Sequence, residues 1–199
     1  HTYAMVQTIM RDFPDYVPNT YLQYYLYPEQ VVAQLDPDHT RTEEVRNGRE
    51  KRVFTQCRQA AQQGSTKGLT IAKSEVHADM IVEVASSIAF DKGELFIMIT
   101  RNNGTVSNFH EDAMVETAAH VGANGVTAVP FGKIDVFMKG LMEGQYAYEH
   151  LTVDSYFEGS YKKALQALTL NRTLVDAQKA KAVLDDLIDA NQNYWPELK

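Results

Sequence analysis

Tyrosine is concentrated in one stretch. From Val17 to Gln30 the chain reads VPNTYLQYYLYPEQ, placing Tyr21, Tyr24, Tyr25 and Tyr27, four of its eleven tyrosines, within seven residues. A phenol is a poor base at neutral pH, because it ionises near about 10 in water. A nearby cation or a helix N-terminus favours its ionised form. Tyr21 follows a Pro-Asn-Thr turn and so stands at a helix start. Close behind, DHTR (Asp38 to Arg41) sets Arg41 at a second helix start. A guanidinium there offers a rigid fork of donors to a phosphate or a hydroxyl pair, beside backbone N–H groups that favour an anion. Each residue also has a plainer reading. Tyr21 can be one more packed aromatic, and Arg41 a solvated charge, although helix starts disfavour cations. Composition alone favours packing for any single tyrosine here.

Other chemistry is thinly represented. There is no G-x-G-x-x-G after a strand, no P-loop, no H-E-x-x-H and no G-x-S-x-G. The six histidines are scattered without paired ligand spacing. The single cysteine, Cys57, rules out an internal disulfide, suggests a reducing cytoplasm, and reads as a buried inert thiol on a long helix. A net charge of −7 argues against a nucleic-acid surface. No apolar run approaches a membrane span. At 199 residues the chain is long enough for one domain or two small ones. Its start, HTYAMVQTIM, lacks both an initiator Met and a signal pattern, and reads like the middle of a helix in a fragment.

The elements that must position these residues are mostly helical. Apolar spacing predicts a helix over Thr2 to Phe13, a short helix or turn over Tyr21 to Tyr27, and a helix opened by Pro28 and running to about Leu35. Thr40 with Glu43 forms a capping box for a long polar helix, Arg41 to Gln62, stopped at Gly64. A loop, extended over Leu69 to Ala72, leads to a helix over Glu75 to Phe90, whose apolar face is Ala78, Ile81, Val82, Ala85, Ile88 and Ala89. Strands are expected at Glu94 to Arg101, Ala113 to Val121 and Val126 to Val129, the first two separated by the Asn102-Asn103-Gly104 turn. Helices over Ile134 to Tyr148, Thr152 to Leu170 and Thr173 to Gln192, the last capped by Thr173, complete an α+β fold with several helices around a small, mainly antiparallel sheet. Tyr24, Tyr25 and Tyr27 read as core or subunit-contact residues, and Trp195 beside Pro196 as an anchor for the C-terminus.

The wording of these segments is more particular than a core requires. PNTYLQYYLYP, DPDHTR and EVRNGREKRVF, then NNG at Asn102 to Gly104, KGLMEGQ at Lys139 to Gln145, LTVDSYFEGSYKKALQAL at Leu151 to Leu168 and the terminal ANQNYWPEL together resemble the C-terminal half of glycoside hydrolase family 4. These are NAD- and manganese-dependent glycosidases, and the branch it most resembles is the 6-phospho-α-glucosidases, the maltose-6'-phosphate hydrolases. The resemblance covers nearly the whole chain, in order. It implies a C-terminal, substrate-side domain of lactate/malate-dehydrogenase-like type, spanning residues 1–199. The Rossmann half, which would hold NAD, the Mn²⁺ ligands and the acid, would lie before His1.

The family reaction departs from the two-carboxylate scheme. NAD takes a hydride from C3 of the sugar, the C2 proton becomes acidic beside Mn²⁺, a base removes it, the group at C1 is eliminated, water adds, and the hydride returns to C3, so NAD is not consumed. In the matching Pro-Asn-Thr-Tyr motif the tyrosine is that base, so the resemblance assigns Tyr21 to it. The Arg of the DHTR motif contacts substrate, which assigns Arg41. His39 reads as a loop residue. The implied substrate is a phosphorylated disaccharide and the implied assembly a homodimer or homotetramer in the cytoplasm. The β-specific relatives carry a basic residue where Gln23 stands, which leans toward α-glucosides. The alternatives are a 6-phospho-β-glucosidase of the same family, or a stand-alone binding or oligomerisation domain without chemistry. On the leading reading the 199-residue piece alone is inactive.

Overall fold

The computed structural model describes residues 2–70, 76–174 and 176–199. The chain divides into a helical unit, His1–Leu35 with Asp135–Lys199, and a sheet-bearing unit, Asp36–Ile134. With helices and an antiparallel sheet, the fold is α+β as expected.

The helical unit starts with α1 (Thr2–Asp12), which buries Met5 and Ile9 and ends just before Pro14. A 3₁₀ turn (Thr20–Leu22) runs into α2 (Gln23–Leu26), and Pro28 opens α3 (Pro28–Ala33) at its first position, where a missing N–H costs nothing. The long helix α7 (Val136–Glu158) begins at Asp135, whose carboxylate accepts from the N–H groups of Phe137 and Met138 at 2.9 and 3.0 Å. These bonds, with one donated by the Tyr16 hydroxyl, hold its carboxyl below the usual range. The Phe137 ring stacks on Phe13 at 5.5 Å, joining the first turn of α7 to the end of α1. The helices α8 (Tyr161–Leu170) and α9 (Ala177–Ala190) pack through small residues, with Ala164, Ala167, Ala180 and Leu184 buried.

Two expectations fail in this unit. No break occurs between Tyr148 and Thr152: α7 continues to Glu158, because polar side chains do not end a helix and Gly159, at φ +63°, does. Thr173 is not the cap of α9. Its N–H and hydroxyl both donate to Asn171 Oδ1, and Asp176 caps α9 by accepting from the Lys179 N–H at 2.8 Å. The C-terminal residues are tied down as expected. Lys199 exchanges backbone bonds with Gly159 and Tyr161, and Trp195 lines an apolar recess of about 570 Å³ with Leu184 and Leu187.

In the sheet-bearing unit, α4 (Arg41–Glu44) continues through a π-helical turn (Val45–Arg49) into α5 (Glu50–Gln63), stopped by Gly64 at φ +63°. Of the extended segment expected over Leu69 to Ala72, Ile71 and Ala72 lie outside the described residues, as does Glu75. Leu69 is buried. The helix α6 (Val76–Ala89) leads to β1 (Glu94–Arg101), β2 (Met114–Gly122) and β3 (Gly125–Ala128), antiparallel in that order. Ser87 of α6 fastens the helix to the sheet: its hydroxyl donates to the Val121 carbonyl at 2.6 Å and accepts from the Glu94 N–H. Along β2, Val115, Thr117, Ala119 and Val121 are buried, the period-two pattern of a one-sided sheet. The expected apolar face of α6 is not a core face. Ile81 and Val82 are 68% and 66% exposed, and Ile88 stands out as well, because the helix turns Ser87 toward β2 instead. Leu95, Ile97 and Ile99 of β1 are likewise exposed.

The loop between β1 and β2 is built on one side chain. Asn102 is fully buried; its amide donates to the carbonyls of Val106, Phe109 and His110, and its oxygen accepts from the Val106 N–H at 2.6 Å. Asn103 and Gly104 take the positive φ angles expected of the turn, 42° and 85°. An Asn102→Ala exchange leaves these backbone groups without partners. It should cost roughly 2–4 kcal/mol in urea denaturation, whereas Asn103→Gly, at a position glycine adopts freely, should be close to neutral.

Candidate functional site

The tyrosine turn is held in shape by Asn19. Its side-chain oxygen accepts from the N–H groups of Tyr21 and Leu22 at 2.9 and 3.2 Å, and its own backbone is extended, the geometry of a helix cap. This is the physical content of the Pro-Asn-Thr signature: proline shapes the approach, asparagine caps, and the residue two places on is fixed at the first turn. None of the residues from Thr20 to Leu26 is buried, so the turn is not the packed aromatic core that composition suggests.

The tyrosines divide by environment. Tyr27 donates to Asp12 Oδ2 at 2.7 Å and Tyr16 to Asp135 Oδ1 at 3.0 Å. Desolvation first, then the bond to a carboxylate, pushes both phenols above their ordinary range. Tyr25 is pushed the same way, by burial first and then by the negative charge of Glu149. All three stay neutral, Tyr16 and Tyr27 as donors to carboxylates. Tyr21 is 70% exposed, stacks loosely on Tyr24 at 6.4 Å, and its hydroxyl takes no partner among the described residues. Tyr24, expected as a core or contact residue, is also exposed.

Beside Tyr21 lies a recess of about 310 Å³. Tyr24 and Tyr25 form one side of it, Gln145 and Tyr148 of α7 another, and the α8–α9 connection, Asn171 to Thr173, a third. Sequence reasoning missed Arg172. One of its guanidinium nitrogens donates to the Tyr25 carbonyl at 2.9 Å, across a separation of 147 residues, and no carboxylate pairs with it among the described residues. An arginine after a helix is ordinary in sequence, so only the tertiary contact picks it out. The capping role of Asn19 was missed as well, although asparagine just before a helix start carries that signal.

Arg41 belongs to the sheet-bearing unit, and Tyr21 to the helical one. Thr40 caps α4 as expected, accepting from the Glu43 N–H, but the Glu43 side chain accepts from Asn47 and does not return to Thr40. The Arg41 guanidinium is 65% exposed and bonded to Glu44 in the same turn. His39 pairs with Asp36 at 2.7 Å. Cys57 is exposed on α5, not buried as expected, because α5 turns this position to solvent. Among the described residues no group of three His, Cys, Asp or Glu side chains converges to hold a metal ion, and no helix is long and apolar enough to cross a membrane.

Comparison with known proteins agrees with this architecture. Residues 2–174 match the family described as the family 4 glycosyl hydrolase C-terminal domain. A phospho-α-glucosidase of Clostridium acetobutylicum is 46% identical over 99% of this chain and 45% of its own length. A maltose-6'-phosphate glucosidase of Bacillus subtilis is 43% identical over 99% and 44%. A 6-phospho-β-glucosidase of Thermotoga maritima is 28% identical over 92% and 45%. Two crystal structures of 6-phospho-α-glucosidases from gut microorganisms each superpose with a TM-score of 0.90 over 100% of this chain and 45% of theirs. The one in complex with NAD and Mn²⁺ is 47% identical, and the one with NAD and glucose-6-phosphate 43%. The chain thus spans about half the length of the curated relatives it matches.

Removing the cap tests whether Asn19 fixes the turn. Asn19→Ala should cost about 1 kcal/mol locally, so amide exchange at Tyr21 and Leu22 should quicken roughly fivefold while exchange in α7 is unchanged.

Proposed function

The chain belongs to the family 4 glycosyl hydrolases, as their C-terminal domain, and from that membership we propose that it is the substrate-side part of a 6-phospho-α-glucosidase. The full enzyme hydrolyses phosphorylated α-glucosides such as maltose 6'-phosphate, with an N-terminal Rossmann half supplying the NAD and Mn²⁺ sites. Identities of 43–46% to α-specific relatives against 28% to a β-specific one favour the α-linkage. The described residues do not themselves fit either group: no metal-holding cluster is present among them, and the sequence has no dinucleotide fingerprint.

The step assigned to this chain is proton removal at C2 of the phosphorylated sugar, with Tyr21 as base. The proton passes from C2 to the phenol oxygen. The observation that carries this is the contrast among the tyrosines. Tyr16, Tyr25 and Tyr27 are held as neutral phenols, while Tyr21 presents an unpartnered hydroxyl on a capped turn beside a recess. A base must meet its substrate proton within hydrogen-bond reach, so a phenol committed to no protein group is suited to it. Arg41 is proposed to contact the substrate; its fork then exchanges Glu44 for a sugar oxygen or phosphate. The setting proposed is cytoplasmic, supported by the lone cysteine. Assembly into a homodimer or homotetramer is supported by the exposed apolar residues of α6 and β1.

Tyr21→Phe in the full-length enzyme, assayed with a chromogenic 6-phospho-α-glucoside, NAD and Mn²⁺, should lower kcat by roughly 10²–10⁴-fold with NAD affinity kept. A C2-deuterated substrate should turn over more slowly than its protiated form in wild type. Phe at wild-type rate would return Tyr21 to packing. The 199-residue chain alone, given the same NAD, Mn²⁺ and substrate, should show no turnover.

A further inference from the structure

We propose that the recess beside Tyr21 seats the leaving sugar of the disaccharide, with Arg172 and Gln145 as its hydrogen-bonding residues and the neighbouring tyrosine rings as its walls. The proposal rests on the reading of Tyr21 as the C2 base and names what binds next to it. Its volume, about 310 Å³, lies at the lower end of the range of about 300–1,000 Å³ for small-molecule sites. Phenol rings give apolar faces for the C–H side of a pyranose. The rim carries mixed polarity, which a polyol needs because each hydroxyl both donates and accepts. Arg172 spends one nitrogen on the Tyr25 carbonyl at 2.9 Å, and the rest of its fork can meet adjacent hydroxyls. Gln145 donates through Nε2 to Glu149 at 2.7 Å, which leaves its carbonyl oxygen as an acceptor.

The same surroundings select against the phosphate. Among the described residues, Arg172 is the one cation lining the recess. The carboxylate of Glu149 holds Gln145 and is close enough to act on the Tyr25 phenol. A phosphate here would also sit beside a base that must bear negative charge to work, and like charges at short range disfavour both. A neutral sugar meets none of these penalties. In a phosphorylated disaccharide whose phosphate is on the ring that is cleaved, the leaving ring is the neutral one, and it departs from C1, next to the C2 atom that meets Tyr21.

The test compares two substrates of the full-length enzyme: maltose 6'-phosphate, whose leaving group is glucose, and the methyl glycoside of the same phosphorylated sugar, whose leaving group is too small to fill the recess. Gln145→Ala keeps a strong helix former in α7, and Arg172→Lys keeps a donor for the Tyr25 carbonyl. Each should lower the ratio of kcat/KM for the disaccharide to that for the methyl glycoside about tenfold, as expected for lost hydrogen bonds to a hydroxyl. A ratio unchanged in both variants overturns the proposal, whether both substrates are turned over at wild-type rates or both are impaired equally; the equal impairment would give these residues a role in shaping the turn or holding the phosphate. Failure of the base reading is separate. It appears as Tyr21→Phe retaining activity on both substrates, whatever the ratio in the other variants.

Discussion

Two polar contacts from distant parts of the chain anchor the tyrosine turn in the helical unit. The turn fully buries none of its residues from Thr20 to Leu26, although Leu22, Tyr25 and Leu26 are half-buried. Asn19 shapes it internally, but a cap is local and says nothing about where the turn points. That is decided by two anchors, Tyr27 on Asp12 at the end of α1 and Arg172 on the carbonyl of Tyr25. The second reaches across 147 residues. Arg172 can make it because α8 stops at Leu170 and α9 waits until Ala177, which leaves a connection free to face the turn. A hydrogen bond from a charged donor is stronger than a neutral one, and here it is made to a backbone atom, so it constrains the chain and leaves the Tyr25 ring free to line the recess.

The sheet-bearing unit obeys a comparable economy. Asn102 does for the β1–β2 loop what Asn19 does for the turn, with the difference that it is fully buried and bonded to four backbone groups. Ser87 does the same for α6 against β2. In each case a short polar side chain replaces backbone partners that an irregular segment lacks. The apolar residues left over, Ile81 and Val82 on α6 and the alternate residues of β1, point outward.

That distinction explains what was legible in the sequence. Strand β1 was read to the residue from its apolar run, Gly64, Asn103 and Gly104 from their tolerance of positive φ, and the Thr40 cap from its side-chain oxygen, because each signal is local. The helical face of α6 was also readable, but periodicity reports that a face wants burial and not where the partner lies. The continuity of α7 was misread because composition changes near Glu149 without any residue that ends a helix. Thr173 is not the cap of α9 because the helix starts only at Ala177, where the adjacent Asp176 supplies the accepting oxygen. At the site, the place of Tyr21 at a helix start was legible from the Pro-Asn-Thr turn before it. Arg172 was not, since its meaning comes from one contact far along the chain.

Electrostatics then limits what this chain can contribute to recognition. It carries a net charge of −7, so its overall field does not draw in an anionic sugar. Arg41 is bonded to Glu44 in an exposed turn that also contains Glu43, and an anion arriving there must first compete with a carboxylate in water, where such pairs gain and lose little. Arg172 meets no carboxylate directly, yet the recess around it is rich in acceptors and close to Glu149. Neither arginine is placed as a strong phosphate trap. What the helical unit can supply on the proposed reading is short-range selection by ring faces, hydrogen bonds and the exposed Tyr21 phenol. Such selection survives high salt, because it depends on contact geometry and not on long-range charge.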